Sequence, residues 1–106
     1  MSTQAKPSIR EETAQARPKL LFFYDPTSGR SRRAEGFLAQ VLQRRRNHDT
    51  FDLRRVDARS RADLAGRCGV ERLPAFVVVE GRRVRARLEE PTGCVEIREA
   101  LARWLK

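Results

Sequence analysis

The sequence predicts an α/β protein built on one mixed β-sheet with helices packed on both faces. Two apolar runs, residues 20–24 and 75–79, have the continuous hydrophobicity of strands that are buried on both sides. Between them, apolar residues recur at the three- and four-residue spacing of a helix face. Gly81 follows the second run at the position of a tight turn, which favours a hairpin there.

The first strand and the helix after it are predicted by an apolar run and by helical periodicity. Asp25 and Pro26 end the strand, and residues 27–31 form a turn that leads into the helix. The buried face of this helix is formed by Ala34, Phe37, Leu38, Val41 and Leu42. Residues 44–46 are three arginines that complement the dipole at its C-terminal end, and Asn47 is expected to break the helix.

The middle of the chain predicts a second strand and a short helix. The strand ends at Asp57, and the residues that indicate it are Phe51, Leu53 and Val56. Ser60, with Asp63 three residues later, resembles a capping box at the start of the helix. The helix ends at Gly69, and its inner face is formed by Leu64, Ala65 and Cys68.

A hairpin and a final helix complete the predicted order β-α-β-α-β-β-α. Residues 82–88 return from the turn at Gly81, and residues 89–93 form a loop. The buried face of the last helix is formed by Cys94, Ile97, Leu101, Trp104 and Leu105. The first two strands must be parallel because a helix crosses between them, whereas the hairpin strands are antiparallel.

Composition limits the chain to one small domain. Of its 106 residues 40% are hydrophobic, which suffices for one core, and the chain is too short for two. No apolar run approaches the ~18 residues of a membrane span, and no apolar leader segment follows the first basic residues. Two cysteines fit a reducing compartment. We therefore expect a cytoplasmic domain over residues 19–106, with no membrane partner, after a polar, flexible tail over residues 1–18.

The basic charge has two interpretations. The 23 Lys and Arg against 14 Asp and Glu give a net charge of +9, which fits a polyanionic partner such as a nucleic acid. The alternative is that arginine is the default surface cation, because the excess is spread along the chain. Arg83, Arg85 and Arg87 alternate along the last strand and are predicted to share one face. They form a polyanion-binding stripe or, if the strand lies at an edge of the sheet as in the family named below, protect that edge from aggregation.

The chain resembles the thioredoxin family over residues 19–105, because several local features occur in the same order as in that family. After the first apolar strand, residues 28–31 read S-G-R-S where the family has C-G-P-C. Asp57 closes the second strand as the family's aspartate does, and residues 80–81 lie at the hairpin turn. Residues 68–74 are similar to the family's glycine-hydrophobe-x-x-hydrophobe-proline segment. The resemblance implies a thioredoxin-like three-layer sandwich with a central mixed sheet.

The resemblance also implies a peptide-binding groove. Pro74 corresponds to the family's cis proline, which packs beside the redox loop. In thioredoxins an extended peptide lies between that loop, the proline and the loop after the hairpin, and backbone pairing there needs no cysteine. The groove residues implied for this chain are Thr27, Ser28, Gly29, Arg30, Leu73, Pro74, Pro91 and Thr92. Neither a cofactor nor a metal is implied.

The chemistry of thiol–disulfide exchange is missing at the corresponding positions. Ser28 and Ser31 replace the two cysteines, and a serine is a poor nucleophile without an adjacent base and forms no disulfide. The family's buried carboxylate on the first strand corresponds to Phe22. The only histidine, His48, lies beyond the far end of the helix. We therefore expect no catalysis of the family's reaction at this loop.

The cysteines and the loop arginines leave further alternatives. Cys68 is predicted to be a small buried hydrophobe, whereas Cys94, in the first turn of the last helix, is either a reactive thiol or a packed side chain. No disulfide between them is expected. The loop also suggests an anion site with the candidate residues Ser28, Arg30, Ser31, Arg32 and Arg33. Alternatively, a serine simply caps the helix and the arginines are solvated.

The sequence therefore predicts a monomeric, non-catalytic module that binds a protein or peptide and is related to cell redox homeostasis. Two alternatives stay open. In the first, the chain is a thiol-disulfide oxidoreductase whose active-site cysteine was replaced by serine, naturally or by engineering. In the second, it is a basic accessory protein associated with nucleic acid.

Overall fold

A four-stranded sheet forms the centre of the computed structural model, which describes residues 17–106. The strands are β1 (Lys19–Tyr24), β2 (Asp52–Asp57), β3 (Ala75–Glu80) and β4 (Arg83–Glu89). The helices are α1 (Gly29–Gln43), α2 (Ala62–Arg67) and α3 (Cys94–Ala100), and a 3-10 segment, Arg44–Asp49, follows α1.

The predicted tail, residues 1–18, lies outside the described residues except for its last two. Of these, Pro18 is buried, and its carbonyl accepts a hydrogen bond of 2.9 Å from the Asp52 amide at the start of β2. Pro18, one residue before β1, therefore packs as part of the domain.

The sheet has the order β2-β1-β3-β4 and is mixed, as predicted. β1 pairs with β2 in parallel, and the β1–β3 and β3–β4 pairs are antiparallel. The two central strands, β1 and β3, are buried on both faces, which explains why their sequences are continuous apolar runs. β2 and β4 are the edges, and Leu53 on β2 is correspondingly exposed.

Helices cover both faces of the sheet and create two apolar layers. On one face, α1 and α3 pack against the residues of β1 and β3 that include Phe22 and Phe76. On the other face, the shorter α2 packs Ala65 and Cys68 against Phe23 and its neighbours. The three-layer sandwich and the predicted apolar faces of α1 and α2 are confirmed. The last helix is shorter than predicted: α3 ends at Ala100, so Leu101, Trp104 and Leu105 pack on the same core from the segment after the helix and not from its face.

The end of the long helix differs from its prediction. α1 stops at Gln43, before the arginine run, because the backbone of Arg44 is extended, with ψ of 132°. Arg45 and Arg46, which follow, both have φ of 55°, in the left-handed region. Asn47 is therefore not the residue that breaks the helix. Its side chain is buried and its Nδ2 donates a 2.8 Å hydrogen bond to the Arg44 carbonyl, so that it holds the turn beyond the helix.

The predicted capping box of the second helix is wrong. α2 begins after Arg61, which is its N-cap, and no side chain caps the helix there. Asp63 instead accepts a 3.2 Å hydrogen bond from the Arg61 guanidinium. The Ser60 hydroxyl lies one residue too early to reach the free amides of the first turn.

The prediction that three arginines of the last strand share one face is also wrong. Arg83 pairs with Glu80 and Arg87 with Val77, and residues 77 and 80 of one strand point to opposite faces. A register shift between Val78 and Val79 inserts one extra residue into β4, which reverses the alternation. The edge position of β4 is confirmed, and the hairpin strand lies one residue later than predicted.

Candidate functional site

The two serines of the S-G-R-S segment hold the start of α1. Ser28 is the N-cap residue, and its Oγ accepts a 3.3 Å hydrogen bond from the Ser31 amide. Ser31 is only 3% exposed, and its Oγ accepts a 3.0 Å bond from the Asp25 amide across the turn. Both hydroxyl oxygens are therefore engaged with backbone amides, which is the capping alternative named above.

Asp25 fixes the other side of the same turn. Its Oδ1 accepts hydrogen bonds from the amide of Thr27 at 2.9 Å and from the hydroxyl of Thr27 at 2.8 Å. These bonds hold the pKa of the Asp25 carboxyl below its ordinary value, with a smaller contribution from the Arg59 guanidinium. A carboxylate with a lowered pKa is a weak base, so the turn does not supply the partner that would activate a serine.

Phe22, which stands on β1 where the thioredoxin family has a buried carboxylate, lies in an apolar environment. Phe22 is 1% exposed and stacks on Phe76 and Tyr24, with ring centroids 5.1 and 5.6 Å apart. His48 lies in the 3-10 segment at the far end of α1. No general acid or base is therefore positioned at the serines by β1 or by the histidine.

A groove of about 520 Å³ lies where the peptide site was expected. Its lining residues come from the start of α1, from Pro74 and from the loop before α3: Arg30, Arg33, Phe37, Pro74, Glu90, Pro91 and Thr92. The Leu73–Pro74 peptide bond is cis, as the resemblance implied. Arg30, Pro74, Pro91 and Thr92 were among the predicted groove residues.

The rest of the predicted groove lies at its margin. The predicted residues that do not line the groove are Thr27, Ser28, Gly29 and Leu73. The sequence reasoning missed Arg33, Phe37 and Glu90. Arg33 and Phe37 follow Arg30 at helical spacing, so a helical reading of that face could have found them.

Glu90 connects the three segments around the groove. Its carboxylate lies 3.6 Å from the Arg30 guanidinium and 3.6 Å from that of Arg72. Its amide donates a 2.7 Å hydrogen bond to the Pro74 carbonyl, and its φ of 53° places it in the left-handed region. These contacts join residues far apart in sequence, so nothing in the local pattern marks Glu90.

The backbone of Leu73 is unpaired at the edge of the groove. Within residues 17–106, neither its amide nor its carbonyl takes part in a hydrogen bond, although Pro74 beside it and Ala75 after it are both bonded into the fold. Leu73 itself is half-buried against the α2 layer. The chain thus presents one free donor and one free acceptor next to the cis proline.

The candidate anion site at the start of α1 is not assembled around its hydroxyls. Ser28 and Ser31 are used as described above, and Arg30 lies near Glu90. Arg32 and Arg33 are exposed. The residues are neighbours, but the hydroxyl oxygens serve the backbone, and the site stays a prediction.

The two cysteines lie on opposite faces of the sheet. Cys68 is buried in the α2 layer, and burial raises the pKa of its thiol, which lowers its reactivity. Cys94 is half-buried beside α1, with its Sγ 3.1 Å from the Gln40 side-chain oxygen and 3.7 Å from the Phe37 carbonyl. Both are free thiols, and the sheet between them prevents a disulfide.

The described residues contain neither a metal-binding cluster nor a membrane-spanning helix. Among residues 17–106, no three His, Cys, Asp or Glu side chains are placed to share a metal ion. In the same part of the chain, none of the helices has the length and hydrophobicity required to traverse a lipid bilayer.

No family model and no curated protein matches the chain, whereas solved structures do. It is similar to the germline-specific thioredoxin Deadhead of Drosophila melanogaster, with TM-score 0.73 and 18% identity over 96% of this chain and 94% of that one. It is also similar to Fasciola hepatica thioredoxin, with TM-score 0.71 and 16% identity over 95% and 93%.

A third solved structure, of a ferredoxin:thioredoxin reductase and thioredoxin f2 complex, matches with TM-score 0.67 and 14% identity over 87% of this chain and 81% of that one. At these identities the similarity concerns the fold, and it agrees with the sheet order, the cis proline and the helices described above. The chain therefore has a thioredoxin-like fold.

Proposed function

We propose that this thioredoxin-like protein binds an extended peptide segment of a protein partner in the groove beside Pro74, without thiol–disulfide exchange. The observation that carries the proposal is the unpaired backbone of Leu73 at the edge of that groove. The proposal includes a monomer that acts in the cytoplasm and has a role related to cell redox homeostasis.

Backbone pairing supplies the affinity in this proposal. An extended segment that runs past Leu73 receives its amide hydrogen and donates to its carbonyl, as in the addition of a strand to a sheet edge. Pro74 cannot compete for these bonds, since it has no amide hydrogen and its carbonyl is already bonded to Glu90. The pairing is limited to one residue, so the side chains of the peptide must contribute as well.

The groove walls favour an apolar side chain followed by an acidic one. Phe37 and Pro91 supply apolar surface. Arg33 lines the same groove and, within residues 17–106, has no carboxylate within 4 Å, whereas Arg30 already lies near Glu90. An acidic side chain of the peptide would therefore pair with Arg33.

Thiol chemistry is not needed for this mode of binding. Ser28 caps α1, and the Ser31 hydroxyl binds the Asp25 amide. Cys68 is buried, and Cys94, the first residue of α3, contacts Gln40 of α1. The solved complex of a thioredoxin f2 with a reductase shows that a protein of this fold engages a protein partner. That observation supports a protein partner and leaves its identity open.

The test begins with peptides selected from a random display library against the wild-type protein. The affinity of a selected peptide is then measured by fluorescence anisotropy for the wild type, Arg33→Glu and Arg32→Glu. Arg32 is the matched control, because it is equally exposed on the same helix but does not line the groove. We expect Arg33→Glu to weaken binding about tenfold, the effect of roughly 1.4 kcal/mol, and Arg32→Glu to change it by less than about twofold.

A second arm separates peptide binding from the oxidoreductase alternative. The Cys68→Ala/Cys94→Ala variant should bind the selected peptide as the wild type does, with and without dithiothreitol. The wild type should not accelerate the reduction of insulin by dithiothreitol over a protein-free control. Loss of peptide binding in the cysteine-free variant, or catalysed insulin reduction, would refute the proposal, and so would equal effects of the two arginine variants.

A further inference from the structure

A second pocket lies at the opposite end of α1 from the groove. It has a volume of about 460 Å³ and is formed between the end of α1, the 3-10 segment and the C-terminal residues. Its lining residues are Val41, Arg44, Arg45, Asn47, Arg98, Ala102, Leu105 and Lys106. The size is within the range of small-molecule sites, roughly 300–1,000 Å³.

The charge of this pocket is uncompensated. Half of its lining residues are cationic, and none is an aspartate or a glutamate. Within residues 17–106, neither Arg44, Arg45 nor Arg98 has a side-chain carboxylate within 4 Å. Elsewhere in the same part of the chain seven arginines do, namely Arg30, Arg54, Arg55, Arg59, Arg61, Arg72 and Arg85.

The backbone that carries these cations is held in place by Asn47. The side chain of Asn47 is 2% exposed. Its Nδ2 donates to the Arg44 carbonyl, and its Oδ1 accepts bonds of 2.8 Å from the Thr50 hydroxyl and 2.9 Å from the Lys106 amide. One buried amide therefore fixes both walls of the pocket, the turn after α1 and the C-terminal residues. The Lys106 ammonium adds a 3.2 Å bond to the Arg46 carbonyl.

We propose that this pocket binds the phosphate groups of a phosphorylated ligand. Three guanidinium groups line the pocket, and each presents a planar fork of donors. Together they match a phosphate group better than a single carboxylate, because phosphate carries more negative charge and offers more acceptor oxygens. The floor formed by Val41, Ala102 and Leu105 is apolar and accepts the organic part of the ligand. The site shares no lining residue with the peptide groove.

The experiment uses three probes whose shared chemistry is phosphate. Inorganic pyrophosphate, ADP and a single-stranded 12-nucleotide DNA are titrated by calorimetry into the full-length protein at 50 and 200 mM salt. The pocket variant is Arg44→Gln/Arg98→Gln. The matched control is Arg67→Gln/Arg83→Gln, which removes the same charge from exposed residues outside the pocket that have no ion pair within residues 17–106.

The proposal predicts saturable binding that weakens at least tenfold in the pocket variant and less than about twofold in the control. If pyrophosphate or ADP binds in this way, the source of the phosphate is a small molecule. If only the oligonucleotide does, the source is a nucleic acid backbone, and log K falls with log salt at about 0.7 per phosphate contacted. Equal weakening in both variants, or no saturable binding of any probe, overturns the proposal. Circular dichroism and thermal unfolding of each variant confirm that it is folded.

Discussion

The two ends of α1 use polar residues in opposite ways. At the N-terminal end, Ser28 and Ser31 have hydroxyl groups that resemble a reaction centre in sequence, yet both accept hydrogen bonds from the backbone. At the C-terminal end, Arg44 and Arg45 resemble an ordinary solvated surface, yet they line a pocket beside Asn47, whose buried side chain makes three hydrogen bonds. A motif in the position of a reaction centre therefore does not show that its polar groups are free to bind a ligand: the serine hydroxyls are occupied by the backbone, whereas within residues 17–106 the arginine guanidinium groups are not.

The two ends also differ in how far along the chain their contacts reach. The hydrogen bonds of the serines span three and six residues, so the local sequence is enough to form them. The bond from Lys106 to Asn47 spans 59 residues and requires the complete fold. The N-terminal end should therefore tolerate loss of one polar group better than the C-terminal end.

The largest effect is expected from Asn47→Ala. The substitution removes two acceptor bonds and one donor bond in a buried position, leaving the Thr50 hydroxyl and the Arg44 carbonyl without that partner. We expect a loss of about 2–3 kcal/mol in the free energy of unfolding, measured by urea denaturation. His48→Ala, which alters the exposed neighbouring residue, should change it by less than about 0.5 kcal/mol. If the two variants lose the same free energy of unfolding, the hydrogen bonds of Asn47 do not make the stabilising contribution assigned to them.

An intermediate effect is expected from the two serines. Ser31→Ala leaves the Asp25 amide unpaired beside a buried position, and Ser28→Ala removes the N-cap of α1. We expect losses of about 1–2 kcal/mol for Ser31→Ala and about 1 kcal/mol for Ser28→Ala, from the same denaturation experiment. Ser60→Ala is the control, since Ser60 is exposed and is not the cap of α2, and its effect should be close to zero. If Ser28→Ala behaves like the control, the capping interpretation fails, and if Ser31→Ala does, its bond to the Asp25 amide contributes nothing to stability.

Most of the fold could be predicted from the sequence, because the spacing of apolar residues shows which face of an element is buried. In addition, two strands that are joined by a crossing helix must be parallel. The sequence predicted the parallel β1–β2 pair, the antiparallel hairpin, the apolar faces of α1 and α2 and the burial of Cys68. It failed at the end of α1, where Arg45 and Arg46 adopt a left-handed conformation that arginine rarely takes. It failed again on β4, because a bulge is set by pairing with β3 and leaves no mark in the alternation of residues.

The candidate site was predicted only in part for a similar reason. Pro74, Arg30, Pro91 and Thr92 were placed in the groove by the resemblance, and all four line it. Glu90 was missed because its ion pairs connect residues 30, 72 and 90, which only the tertiary structure brings together.

The smallest effect is expected from pH. Hydrogen bonds from Thr27 lower the pKa of Asp25 in the folded state relative to the unfolded chain. Its contribution to stability is therefore complete above the unfolded pKa, and it is lost as the pH falls below about 4 and through the folded pKa. Asp25→Asn should reduce the difference in urea midpoint between pH 6 and pH 3. If the difference in urea midpoint between pH 6 and pH 3 is larger for Asp25→Asn than for the wild type, the assignment of this contribution to Asp25 is wrong.

The most direct test of thiol-independent peptide binding is the amide proton of Leu73, observed by NMR during titration with a selected peptide. The account predicts that this resonance moves downfield and that its exchange with solvent slows, because a free donor gains a hydrogen bond. The same shift should appear in the Cys68→Ala/Cys94→Ala variant. A Leu73 amide that stays unchanged while the peptide binds elsewhere, or that responds only when the cysteines are present, would contradict the account.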